Sequence, residues 1–175
     1  SLRNKVCIMA TNLQFIKQTS ASGVSSMDIT NCFSSIYDNY YLTITGYKPS
    51  GGLNLDIRLI DSGGSVISDS EYDRAFLDML ANASFSESSA TNSNIFNVTA
   101  FNNGHSNGTG ASFTIFNPFD SSAFTFGQGQ TSDYSGNGRG RKMIMVHKSA
   151  EQITGVNFST SSGSFDTTVS VYGIL

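Results

Sequence analysis

Proton transfer or nucleophilic attack needs a side chain that can donate, accept or attack near neutral pH, and the 175-residue chain offers two histidines for that work, His105 and His147. His105 sits in a glycine-rich stretch and His147 ends an apolar one. Neither stands at a zinc-site spacing from another His or Cys, and Cys7 and Cys32 form no CxxC pair. A Ser-His-Asp triad comes together only in a fold, and abundant serine makes chance proximity common. Asp69, Glu71, Asp73 and Asp78 cluster along the chain. Two such carboxylates could serve glycoside hydrolysis, and with Asp61 they could hold calcium, but the spaced acids and glycine of an EF-hand are missing. A polar loop carrying a few acids is the commoner arrangement. The expectation is a chain that is not an enzyme, with no catalytic residue, no cofactor-binding residue, no metal ligand and no cofactor.

Binding chemistry has three further candidates. The run Arg139-Gly140-Arg141-Lys142 follows glycines and could meet a phosphate, a carboxylate or an acidic neighbour. It lacks the Lys-Ser or Lys-Thr ending of a nucleotide-binding glycine loop, and a solvated strand entry is the ordinary reading. Tyr37, Tyr40, Tyr41 and Tyr134 lie among Asn, Asp and Ser, a mixture that can stack on sugars and bond their hydroxyls. Against that, tyrosines often cap a core at sheet edges, and the chain has no tryptophan. Asn-X-Ser/Thr sequons at Asn82, Asn97, Asn107 and Asn157 are expected by chance in so Asn/Ser/Thr-rich a sequence.

The bulk numbers bound the answer. One domain fits this length, and such a chain buries enough surface to fold without a metal or disulfide. Charged residues are 13% and the net charge is -3, which removes the positive field that nucleic acid selects. The apolar share of 38%, with 13 Phe and 7 Tyr spread along the chain, argues for a distributed core rather than disorder. Cys7 and Cys32 are expected as free thiols in preference to a disulfide. No charged start precedes an apolar h-region, and no apolar run reaches a membrane span, so the expectation is a soluble chain with no membrane partner.

The elements that must position these residues read as strands. Leu53, Leu55, Ile57 and Leu59 alternate with Asn54, Asp56 and Arg58, so one face is buried and one is wet. Tyr40 to Thr45 is aromatic and β-branched, and the turn Lys48-Pro49-Ser50-Gly51-Gly52 predicts an antiparallel hairpin between the two. Asp61-Ser62-Gly63-Gly64 closes the second strand, and Val66-Ile67 begins a short edge strand. Further strands are predicted over 95–100, 111–117, 123–126, 141–147, 153–158 and 167–172. Tyr72 to Leu80 has helical spacing but is short enough to be a strand. The stretches 104–110 and 127–140 read as flexible, solvent-facing loops. Residues 1–22 are an N-terminal arm or first strand, and 23–175 a single β-sandwich domain.

Four stretches resemble a family of tailed-bacteriophage virion proteins that carry a β-sandwich module on tail fibres or capsid surfaces, especially in marine and cyanobacterial phages. They are Asn31–Ile44 (NCFSSIYDNYYLTI), Gly52–Leu59 (GLNLDIRL), Phe113–Phe119 (FTIFNPF) and Ile153–Leu175, closing on Val-Ser-Val-Tyr-Gly-Ile-Leu. The first is similar to the family's entry into a hairpin and the last to its terminal strand. The resemblance implies an all-β, antiparallel two-sheet sandwich of jelly-roll type with a short N-terminal arm. It brings no catalytic residue.

It also implies a structural subunit on the outer surface of a phage particle, bound to other virion proteins and oligomeric, with a trimer the natural guess. A fibre-tip domain normally follows a coiled-coil or triple-helical shaft, and these 175 residues contain none. Capsid decoration, cement or a small tail-surface subunit is therefore expected first, with a receptor- or glycan-binding tail-fibre module as the alternative. A hydrolase acting on surface polysaccharide, resting on the acids from Asp61 to Asp78, stands third.

Overall fold

The computed structural model describes residues 12–50, 54–82, 85–99, 108–134 and 136–175. Cys7, His105 and the Asn107 sequon lie outside them. The described residues form strands, turns and bends, with no helix among them, and hence none long and apolar enough to cross a membrane.

Twelve strands follow in chain order: β1 (Leu13–Val24), β2 (Ser26–Ile29), β3 (Asn39–Pro49), β4 (Leu55–Asp61), β5 (Tyr72–Leu80), β6 (Ser86–Ser93), β7 (Asn97–Thr99), β8 (Thr109–Phe116), β9 (Thr125–Tyr134), β10 (Gly138–His147), β11 (Ile153–Ser159) and β12 (Phe165–Ile174). An eight-stranded sheet has the order β1-β12-β3-β8-β9-β10-β5-β6, and a four-stranded sheet the order β2-β11-β4-β7. All their pairings are antiparallel. Setting aside the hairpins β5–β6 and β9–β10 leaves β1-β12-β3-β8 facing β2-β11-β4-β7. That is the interleaved order of a jelly roll, in which the chain crosses repeatedly between two layers. The two hairpins join the β8 edge and double the width of one sheet.

The core lies between the layers. Tyr40, Leu42, Ile44, Phe113, Ile115, Val169 and Val171 of the large sheet and Ile29, Leu55, Ile57, Leu59, Val156 and Phe158 of the small one belong to one buried apolar cluster. In β3 the alternation Tyr40-Leu42-Ile44 slips by one residue so that Tyr47, not Gly46, comes next into the core. Gly46 takes φ +63°, a left-handed value that only a residue without Cβ adopts cheaply, and this bulge re-aims Tyr47 inward.

Three expectations change and one left open is settled. The Tyr40–Leu59 hairpin does not form, because β3 pairs with β12 and β8 while β4 pairs with β11 and β7. Period two tells which side chains point inward, not which strand is the neighbour, and here the connection crosses from one layer to the other. Tyr72–Leu80 is a strand, held between β10 and β6, and Val66 makes only a single bridge to Ile60. The supposed loop over 127–140 is mostly the β9–β10 hairpin. Gly127 and Gly129 sit at inward positions of β9, and a Cβ on Gly129 would fall 2.3 Å from the Phe113 ring. Glycine there is a socket for an aromatic side chain rather than a sign of mobility.

Candidate functional site

Ladder register assembles a row of outward side chains across the whole large sheet: Phe15, Tyr172, Tyr41, Thr114, Gln128, Ile144, Ala75 and Ser89. The row beside it runs Gln18, Ser170, Thr43, Ser112, Gln130, Lys142, Leu77 and Glu87. The face therefore grades from aromatic over β1, β12 and β3, through hydroxyl and amide over β8 and β9, to aliphatic over β10 and β5. Phe15 is 55% exposed and Ile144 59%, with Phe126, Leu77 and Met79 also open. Tyr41, Ser112, Thr114, Gln128, Gln130 and Lys142 border a shallow depression of about 210 Å³ at its centre. Such a face, low in charge and mixed in polarity, has the composition of a protein contact surface.

The inward face of the added hairpins is built differently. Arg141 donates to both carboxylate oxygens of Asp78, at 2.6 and 3.0 Å, and Arg139 adds a 2.8 Å bond to Oδ2. The Arg141 guanidinium lies 3.5 Å from the Phe76 ring centroid. Burial alone would raise the Asp78 carboxyl, but the hydrogen bonds and charges of Arg141 and Arg139 outweigh it and hold the group below its ordinary value. This pairing absorbs the basic run as structure. Lys142 alone of it stands on the outer face.

The acids that the sequence placed together are dispersed by the fold. Asp61 Oδ1 accepts from the Ser65 amide within its own turn, and Asp73 pairs with Lys148 at 2.8 Å while accepting from the Asn92 amide. Glu71 meets His147: Nε2 to Oε2 is 3.2 Å, and Glu151 Oε1 lies 3.6 Å from the same nitrogen. Asp73 and Asp78, five residues apart on an uninterrupted ladder, project from opposite faces of β5.

The tyrosines divide as well. Tyr40 is fully buried, with its hydroxyl donating to the Ser34 carbonyl and accepting from the Ser34 amide, each at 2.7 Å. Tyr37 packs edge-on against it at 5.8 Å and lies over Gly173, where a Cβ would strike its ring at 2.5 Å. Of the four candidates, Tyr41 and Tyr134 present surface at the outer face or its rim. Cys32 is a buried free thiol bonded to the Ile29 carbonyl, and burial pushes its pKa up to about 12. The Asn157 amide donates to Ser26 and Asp28 inside β2–β11, so that sequon is spent on structure.

A Gly-X-Ser-X-Gly spelling over residues 104–108 also falls largely outside the described residues, though its continuation is strand β8 from Thr109. A nucleophile elbow leads into a helix instead. Sequence reading missed Glu151 and the outer-face set of Gln128, Gln130 and Ile144. The signal for the latter was present in Phe126-Gly-Gln-Gly-Gln130, an alternation visible once glycine is counted as an inward residue.

No known protein family matches this chain, and no curated protein does.

Proposed function

We propose that the chain is a non-enzymatic structural component of a tailed-phage virion surface, a capsid decoration, cement or small tail-surface subunit that binds other virion proteins. The observation that carries the reading is the jelly roll widened by two hairpins, which presents a broad, charge-poor outer face with Phe15, Phe126, Ile144, Leu77 and Met79 open to solvent. A surface lattice repeats one subunit many times, so contacts that are weak singly sum by avidity. The edge strand β6, Ser-Glu-Ser-Ser-Ala-Thr-Asn-Ser, is polar on both faces, and such an edge resists uncontrolled pairing with other strands. The apolar-rimmed face and the β1 edge are then the contact surfaces. Immunogold imaging of particles purified from the source culture tests this. Gold on the outer surface of intact virions supports it, and its absence there ends it.

The glycan-binding alternative keeps one specific support, the depression bordered by Tyr41, Gln128, Gln130 and Lys142, where amides and one aromatic ring face solvent. A glycan array that gives binding in the parent and none in Gln128→Ala/Gln130→Ala would favour it.

A further inference from the structure

We infer that Glu71, His147 and Glu151 form a binding site for a first-row divalent transition ion, with the imidazole Nε2 and one oxygen from each carboxylate as protein ligands. Three chain segments meet there: Glu71 immediately precedes β5, His147 ends β10, and Glu151 lies in the connection to β11. The three ligand atoms lie within 4.8 Å of one another. The two N···O separations, 3.2 and 3.6 Å, bracket the edge of a tetrahedron around zinc, since ligands about 2.0–2.1 Å from the ion stand about 3.3–3.4 Å apart. A fourth position toward solvent remains for water.

Three further observations go beyond a chance cluster. The His147 side chain is 0% exposed, whereas Glu71 and Glu151 are 40% and 34% exposed, so the nitrogen is presented from a fixed interior position to two carboxylates that an ion can reach from water. The ring is packed against Tyr72 at 5.0 Å, and the Lys148 amide donates to the Glu71 carbonyl at 2.9 Å, which ties the first ligand's backbone to the second's neighbour. Lys148, the nearest cation in sequence, is turned to Asp73, and among the described residues neither glutamate has a lysine or arginine in ion-pair contact. Among those residues the two carboxylates thus have no lysine or arginine in contact to offset them, and a divalent ion would supply that positive charge.

The interior side of the ring supplies the last point. His147 Nδ1 and Thr125 Oγ1 are both buried without a partner, and the two residues are directly opposite in the β9–β10 ladder. An ion on Nε2 would fix the ring proton on Nδ1 and leave that N–H as a donor toward the interior, where the two buried groups make no hydrogen bond to each other in this structure. Imidazole with carboxylates suits zinc and its first-row neighbours, and disfavours calcium, which takes oxygen ligands alone. The bound ion would staple the widened part of the large sheet to the entry of β11 in the small one.

The test is isothermal titration of the purified full chain with Zn²⁺, alongside Ca²⁺, and visible spectra with Co²⁺. The expected result is one Zn²⁺ per chain, a tetrahedral Co²⁺ spectrum, a rise of several degrees in Tm with Zn²⁺, and no response to Ca²⁺. Glu151→Gln, at a half-exposed loop position that leaves the fold intact, should weaken Zn²⁺ roughly tenfold or more, and Glu71→Gln/Glu151→Gln should abolish stoichiometric binding. Absence of Zn²⁺ binding in the parent overturns the inference. So does stoichiometric binding that survives in the double variant, because the ion is then held elsewhere.

Discussion

The two halves of the large sheet solve the same burial problem with opposite chemistry. Over β1, β12, β3 and β8 the inward side chains are mainly Val, Leu, Ile, Phe and Tyr, with Thr167 among them, packed against the small sheet. Over β9, β10 and β5 they include Thr125, Thr131, Arg141, Asp78 and His147 beside Met143 and Met145. A four-stranded sheet at about 4.8 Å per strand is roughly half as wide as an eight-stranded one, so it cannot face all of it. Where the second layer covers, an apolar core is cheapest to form. Where cover thins, charges can be buried only if they are paired and hydrogen-bonded, and Asp78 with its two arginines meets that condition.

Substitutions can break this contrast, beginning with the largest effect. Phe158→Ala, in the covered half, removes a fully buried ring and should cost about 3–5 kcal/mol in urea unfolding. Asp78→Asn, in the widened half, strips the counter-charge from Arg139 and Arg141 and should cost about 3 kcal/mol. If Asp78→Asn proves the more damaging of the two, the ion pair, not the apolar core, is the principal support of the fold. The Asp78 carboxyl titrates below its ordinary value in the folded chain, so its contribution is fully present above the unfolded value near pH 4 and is lost as pH falls through the lower folded value. Acid unfolding followed by fluorescence should show this loss in the parent and a flatter profile in Asp78→Asn.

Tyr40→Phe leaves the ring in place and removes two hydrogen bonds to Ser34, so about 1–2 kcal/mol should be lost. Ile144→Ser, on the outer face, should change stability by no more than about 0.5 kcal/mol and, on the proposed virion role, weaken attachment to particles in a co-sedimentation assay. Cys32 sharpens the same contrast between inside and outside without any substitution. Its thiol, buried and raised to about 12, should resist a thiol reagent in the folded chain and react once urea unfolds it.

Much of the covered half was legible beforehand, since Leu55-Ile57-Leu59, Ile153–Phe158 and Thr167–Tyr172 announce themselves by alternation and β-branched content. The widened half was not. β6 has no large apolar side chain and forms because β5 offers it an edge, and β9 hides its period behind glycines whose partner, Phe113, is distant in sequence. The candidate metal ligands were illegible for the same reason, because Glu71 and His147 meet through the β5–β10 ladder and not through spacing.

The amino-acid order by itself determined that this chain is all-β, that one face of most strands turns inward, and that its surface is polar and poor in charge. Those properties are local or compositional, set by side-chain alternation and by the balance of apolar to charged residues. Which strands became neighbours, that β3 and β4 part into separate layers, and that Asp78 finds two arginines while His147 finds two glutamates were decided only by the tertiary structure. Antiparallel ladders join segments far apart along the chain, and their register depends on how both layers close over one core at once.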